Sequence, residues 1–326
     1  MPLRHRLVLL LLLVAGLVCE LPAQDAGCQR RTIAVNVLDR TGNQVSGLGA
    51  ADFQGEFRGQ PLKVSSSSVD NGPRRVVILL DTSGSMMDSQ REWQLVRRVT
   101  HDLVLNSSSE MSLALLTFSA EIGEKVGFDA GRQAVAGKLA ALPGEKAGFG
   151  KGLRPTALFD AILEAVSLLE PTRLGDSVYV VTDGWDNASR SRSKDVERML
   201  LQHGIRLFGF VLSDPRFDMT LDLVPLVRTS GGNSFNFNPY RRWVIRPVSQ
   251  WYSLSEEEEL ALAVVLRRVY AQMAEFYRVE VELPQEVDKP RKWRLEVVDA
   301  HGKKRKDLTV VYPRKLMPCA VEEPRH

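Results

Sequence analysis

The run VVILLDTSGSM at residues 76–86 constrains this chain more than any other stretch. Val76–Leu80 is an unbroken series of large aliphatic residues. It reads as a strand buried on both faces, which means the interior of a parallel sheet. Such a sheet needs helices on both sides, so an α/β architecture follows. The strand runs directly into Asp81, Ser83 and Ser85 on a glycine-containing turn. One carboxylate and two hydroxyls are thereby set at the carboxyl end of a strand, where open α/β sheets bind ligands. These are hard oxygen donors of the kind Mg²⁺ prefers.

The rest of the central region alternates strand and helix. Helical periodicity covers 88–105, 132–142, 157–169, 194–203 and about 219–227. Strand patterns cover 111–118, 125–128, 177–182, 205–211 and 233–237. A capping box opens a long helix: Ser255 precedes Glu258 by three residues, and Glu256–Glu259 suits the positive helix end. That helix is expected to run to about Phe276. The flanks differ. Residues 30–72 alternate apolar and polar at 32–38, 45–48, 52–57 and 62–68 between Gly and Pro turns, and 277–314 returns to β character. The expected organisation is a doubly wound, mostly parallel sheet of Rossmann-like type over 74–276, with its core in 74–238. It is flanked by a small β domain (a β-sandwich) made from 30–72 and 277–314.

The central motifs resemble those of the von Willebrand factor A family, and the layout resembles its bacterial secreted subfamily. The resemblance rests on Asp-x-Ser-x-Ser at 81–85, on Thr156 in RPTALFDAI, on Asp183 in SVYVVTDGWDN and, more loosely, on TSGG at 229–232. It implies a metal-ion-dependent adhesion site in which Asp81, Ser83, Ser85, Thr156 and Asp183 hold Mg²⁺, with Mn²⁺ or Ca²⁺ as substitutes. A carboxylate from a partner protein would complete the coordination. One departure stands out: Arg154-Pro155 occupies the place where the family usually has Gly-Gly before the threonine. Arg154 puts a cation there, to weaken the metal or to clamp an acidic ligand. Asp160 reads as serving the first turn of its own helix, and Asp186-Asn187 as capping their own loop. The stretch 240–252, with Tyr240, Arg241, Arg242, Trp243 and Trp251, carries residue types enriched in binding hot spots. It is expected to emerge on the metal face, either as a ligand-binding rim or as a plug against the β domain.

The ends speak to compartment. Arg4 and Arg6 precede an apolar run over 7–18, and Leu21-Pro22-Ala23 offers cleavage after Ala23, the pattern of a secretory signal over 1–23. A secreted or periplasmic protein is expected, membrane-associated only if that segment stays uncleaved. Cys19 lacks the small preceding residue that lipoprotein processing needs. Cleavage leaves Cys28 and Cys319, either tied in a disulfide across the two ends or left as thiols on the tails. The net charge of +3 favours no polyanion, and Lys303–Lys306 reads as a solvated hairpin turn, so no nucleic-acid partner is expected. The five histidines fall in no triad or ligand spacing, and there is neither a nucleophile elbow nor a phosphate loop. No enzymatic activity and no small-molecule substrate are expected. The competing expectation is a structural or assembly subunit of an envelope complex that binds its partner without metal.

Overall fold

The computed structural model describes residues 26–87, 90–142, 155–212, 222–237 and 255–319. Their strands form two sheets. The first holds β4 (Arg74–Asp81), β5 (Met111–Phe118), β6 (Ile122–Val126), β7 (Ser177–Thr182), β8 (Arg206–Leu212) and β9 (Ser234–Phe237). Its spatial order is β6-β5-β4-β7-β8-β9. All neighbours are parallel except β5 and β6, so this is a mixed sheet with one antiparallel edge. That edge strand is expected at 125–128 but lies at 122–126, followed by a 3₁₀ turn at Phe128–Ala130. It is mostly exposed, so it carries little of the apolar signal that marks the central strands.

The period-2 rule sorts the aliphatic run of β4. Val76, Ile78 and Leu80 face a core shared with α1 (Gln90–Asn106), α2 (Gly131–Ala141) and α6 (Glu256–Ala274). Val77 and Leu79 face the opposite core, built with α3 (Leu158–Leu168), α4 (Ser193–Gln202) and α5 (Leu223–Ser230). Both faces of the strand are dry, which is why it shows no polar alternation.

The second sheet combines β1 (Arg30–Leu38), β2 (Phe53–Phe57), β3 (Gln60–Asp70), β10 (Phe276–Glu282), β11 (Arg291–Val297), β12 (Thr309–Val311) and β13 (Lys315–Leu316). Every pair is antiparallel, in the order β12-β1-β10-β3-β2-β11-β13. Strands from both ends of the chain therefore interleave. The sheet curls, since Trp293 of β11 meets Tyr312, next to β12, edge to face with ring centroids 4.9 Å apart. Cys28 and Cys319 are joined as a disulfide. The segment 45–48 is not a strand: only Gln44 bridges to Leu38, and Gly47 turns the chain with φ +83°. The long helix stops at Ala274, earlier than its pattern predicts. Glu275 is already extended, and Phe276 enters β10 directly.

The two sheets meet at a buried polar seam. Arg206, the first residue of β8, is 1 % exposed. Its guanidinium donates to Asn36 Oδ1 (3.1 Å) and to the carbonyls of Gln272 (3.0 Å), Met273 (3.1 Å) and Gly175 (3.4 Å). Gln272 and Met273 lie in the last turn of α6, whose unpaired carbonyls carry the negative end of the helix dipole. Arg206 thus caps α6 and ties it to β1. Asn36 Nδ2 donates to the Glu275 carbonyl (2.8 Å), and Gln44 Nε2 does the same (2.7 Å). Beside them Arg74 pairs with Asp70 at 2.6 Å and stacks over Phe276 at 4.3 Å. A further seam forms at TSGG. Gly231 takes φ +83° as the C-cap of α5, where a Cβ would sit 2.6 Å from Pro313, and Arg314 N donates to Thr229 O (2.9 Å).

Candidate metal-binding site

The register of the parallel sheet brings the first loop and the third together. Leu80 pairs with Val181, so Asp81 and Thr182 leave the sheet side by side. Thr182 Oγ1 donates to Asp81 Oδ2 at 2.6 Å, and the Ser83 N–H donates to Asp81 Oδ1 at 2.8 Å. Asp81 is thereby held with both oxygens engaged. The chain then tightens into a single helical turn, Gly84–Met87, which sets the Ser83 and Ser85 hydroxyls 3.1 Å apart. Ser85 also hydrogen-bonds Asp183. Asp81 and Ser83 are fully buried, Asp183 is half-buried and Ser85 is exposed. The group therefore opens to solvent on the Ser85 side.

Thr156 arrives by a separate route. Phe118 and Ser119, at the end of β5, receive the two neighbouring loops. Phe118 O accepts from Thr82 N (2.7 Å) and Ser119 O accepts from Ala157 N (2.7 Å). Asn187 then staples Thr156 to the loop after β7. Thr156 N donates to Asn187 Oδ1 (2.7 Å), and the N–H groups of Asn187 and Ala188 donate to Thr156 O (3.0 and 3.1 Å). Thr156 is buried in this grip.

The same loop caps α3. The preceding residue, Ala157, has no side-chain acceptor. Ser189 Oγ accepts instead from Phe159 N (3.0 Å) and Asp160 N (3.1 Å), and it donates to Asp186 Oδ1 (2.5 Å). Asp160 also behaves differently from its sequence reading. Its oxygens accept from Arg190 N (2.9 Å) and Ser191 N (3.0 Å), so it organises the neighbouring loop rather than its own first turn. Asp186 closes its own loop by accepting from Ser189, as its sequence suggests, and Asp186-Asn187 also reach across to α3 and Thr156. The roles of Thr182, Asn187 and Ser189 are not legible in the sequence because Asp81, Thr156 and the start of α3 lie in other segments. Arg154, Tyr240, Arg241, Arg242, Trp243 and Trp251 lie outside the described residues. An unforeseen aromatic stands on this face: Trp185, two residues after Asp183, is 42 % exposed.

Electrostatics give the site its chemical character. Burial, and then the charge of Asp183, push the Asp81 carboxyl up to about 7, against the hydrogen bonds from Thr182 and Ser83. Burial also raises Asp183, opposed by the Ser85 hydroxyl. A buried carboxylate is held beside a half-buried one, an arrangement that is stabilised by protonation or by a neutralising cation. Among the described residues no group of three or more His, Cys, Asp or Glu side chains is placed to hold a metal ion. A cation here would be held by two carboxylates and neutral hydroxyls, a hard oxygen set that fits Mg²⁺ rather than a thiophilic metal.

Residues 76–185 match the family described as von Willebrand factor type A domain. The chain carries a von Willebrand factor A domain. The match starts in β4 and ends in the loop after Asp183, so it spans all five oxygen-donor positions. No curated protein matches the sequence. Among solved structures the chain is similar to the conserved hypothetical protein BatB from Bacteroides thetaiotaomicron (16% identity, TM-score 0.43, covering 61% of this chain and 98% of that one). It is also similar to a von Willebrand factor type A structure from Catenulispora acidiphila (11% identity, TM-score 0.42, covering 91% and 75%). A third is proximal thread matrix protein 1 from the mussel byssus (15% identity, TM-score 0.45). That match covers 65% of this chain, which spans 50% of the mussel protein. The flanking antiparallel sheet lies outside the family match.

Proposed function

We propose that this chain is an exported protein-interaction module that binds an acidic group of a partner through a divalent cation. The observation carrying this reading is the buried Asp81 beside the half-buried Asp183, set against the hydroxyls of Ser83 and Ser85 at the open carboxyl end of the sheet. Asp81, Ser83, Ser85, Thr156 and Asp183 would hold Mg²⁺, or Mn²⁺ or Ca²⁺ in its place. When bound, the ion would supply Lewis acidity to a carboxylate oxygen of the partner. The protein's own residues do the rest. Thr182 and Ser83 orient Asp81, Asn187 fixes Thr156, and exposed Ser85 and Trp185 border the entrance. Trp185 supplies an aromatic contact of the kind that dominates binding energy at interfaces.

On this reading the site binds and carries out no catalysis of its own. The basic, apolar amino-terminal segment supports export. No helix among the described residues is long and apolar enough to cross a membrane.

Isothermal titration of Mg²⁺ and Mn²⁺ into the purified protein tests the reading, beside Asp81→Ala and Asp183→Ala. Saturable binding abolished by both substitutions is expected. Absence of binding by the folded native protein would remove the metal from the mechanism and favour a metal-independent assembly role. Trp185→Ala should leave metal binding intact and weaken capture of the partner.

A further inference from the structure

The geometry points to a second copy of this chain as the occupant of the outer face of α6. Most of that helix's apolar surface is buried in the A domain, through Leu262, Leu266, Val269 and Met273. One apolar strip is not. Leu260 is 69 % exposed and Val264 38 % exposed, with Ala263 exposed between them. Grooves of about 540 and 390 Å³ run along either side, one against α1 at Asp102 and Asn106, the other against Gly42–Gln44. The helix therefore stands as a ridge. Arg267 borders both grooves and has no ion-pair partner among the described residues.

The charges at the ends of this strip select the occupant. Glu256 is exposed and unpaired among the described residues, whereas Glu259 is already bonded to Arg98. Glu256 and Arg267 are eleven residues apart, about three helical turns, so they share the face that carries Leu260 and Ala263. The sequence along that face is acid, apolar, apolar, base. A face of this kind complements itself when a second helix lies antiparallel to it across a two-fold axis. Glu256 of each copy then meets Arg267 of the other, and Leu260 of each packs on Ala263 of the other. A partner with a uniformly acidic or uniformly basic helix would satisfy only one end. The strip is short, so the contact lies at the small end of specific interfaces, with a dissociation constant expected at about 1–100 µM.

Sedimentation equilibrium of the purified protein, at concentrations up to about 200 µM, tests this by spanning the expected constant. A monomer–dimer equilibrium is expected, the same in EDTA and in Mg²⁺, which separates it from the fate of the metal site. Glu256→Arg and Arg267→Glu should each weaken the dimer about tenfold, since each places like charges in contact twice per dimer. The double variant Glu256→Arg/Arg267→Glu should restore association to near the native constant. Leu260→Asp should give a monomer with an unchanged melting temperature. A chain that stays monomeric throughout the range would overturn the proposal, as would a double variant no tighter than the single ones.

Discussion

The two ends of the A-domain sheet are electrostatic opposites. At the carboxyl ends of β4 and β7, Asp81 and Asp183 are brought together with hydroxyls, and among the described residues no basic side chain is bonded to either. At the amino ends of β4 and β8, Arg74 and Arg206 are buried among carbonyls, Asn36, Asp70 and aromatic faces. The first centre is a deficit that a cation from solution would fill. The second brings its own cation and surrounds it with acceptors. Burial costs both centres desolvation; what differs is where the compensating charge comes from. The lesson is that a buried charge reads as structural when its partners are built in, and as a binding site when they are not.

Removing the built-in cation should have the largest effect. Arg206→Met leaves the carbonyls of Gln272 and Met273 and Asn36 Oδ1 without donors in a dry seam. Thermal or urea unfolding should show a loss of about 3 kcal/mol or more. A loss below about 1 kcal/mol would mean that the guanidinium is not the keystone described.

At the opposite end the sign reverses. Asp81→Asn removes a charge that no basic side chain among the described residues neutralises, so the metal-free protein should gain about 1–2 kcal/mol at pH 8. With its carboxyl pushed up to about 7, Asp81 contributes stability that is full below its unfolded pKa. That contribution is lost as pH rises through about 7 in metal-free protein. Melting temperatures of native and variant protein in EDTA should therefore draw apart between about pH 4 and pH 7, the window set by those two pKa values, and keep a constant gap above it. A gap that does not change between about pH 4 and pH 7 would show that Asp81 does not carry the charge deficit.

Asn187→Ala acts on positioning alone. Thr156 loses its clamp while all five donors remain, so Mg²⁺ affinity should drop about three- to tenfold with about 1 kcal/mol of stability. The smallest effect belongs to the seam's periphery. Burial alone would raise the Asp70 carboxyl, but hydrogen bonds from the Arg74 guanidinium and Gly72 N–H, with Arg74's charge, hold it below its ordinary value. Its contribution is present above the unfolded pKa and lost as pH falls through the lowered one. Asp70→Asn should thus remove less than about 1 kcal/mol at neutral pH and flatten the acid limb of the stability curve.

These two centres were not equally legible in the sequence. Val76–Leu80 reveals its place directly, because an aliphatic run without polar alternation fits only a strand covered on both faces. Asp81, Ser83 and Ser85 stand out because they share one turn, and Thr156 and Asp183 through a family pattern. The residues that hold them were silent. Asn187 looks like a turn residue until Thr156 is seen opposite it, and Ser189 replaces a cap that Ala157 lacks. Arg206 is plainer still: at the start of an apolar strand it reads as a boundary residue, and only the return of α6 and β1 gives it acceptors. Each of these contacts spans loops or sheets, which local pattern does not encode.

The interleaved ends of the chain have a mechanical consequence. The A domain leaves the antiparallel sheet after Asp70 and rejoins it at Phe276, and these two residues are paired neighbours in β3 and β10. It hangs as a pendant from two adjacent strands. The disulfide closes the circuit below it, linking positions 291 residues apart. Tension applied to the chain outside Cys28 and Cys319 runs through that one covalent link. Everything between them, the A domain included, stays slack under load.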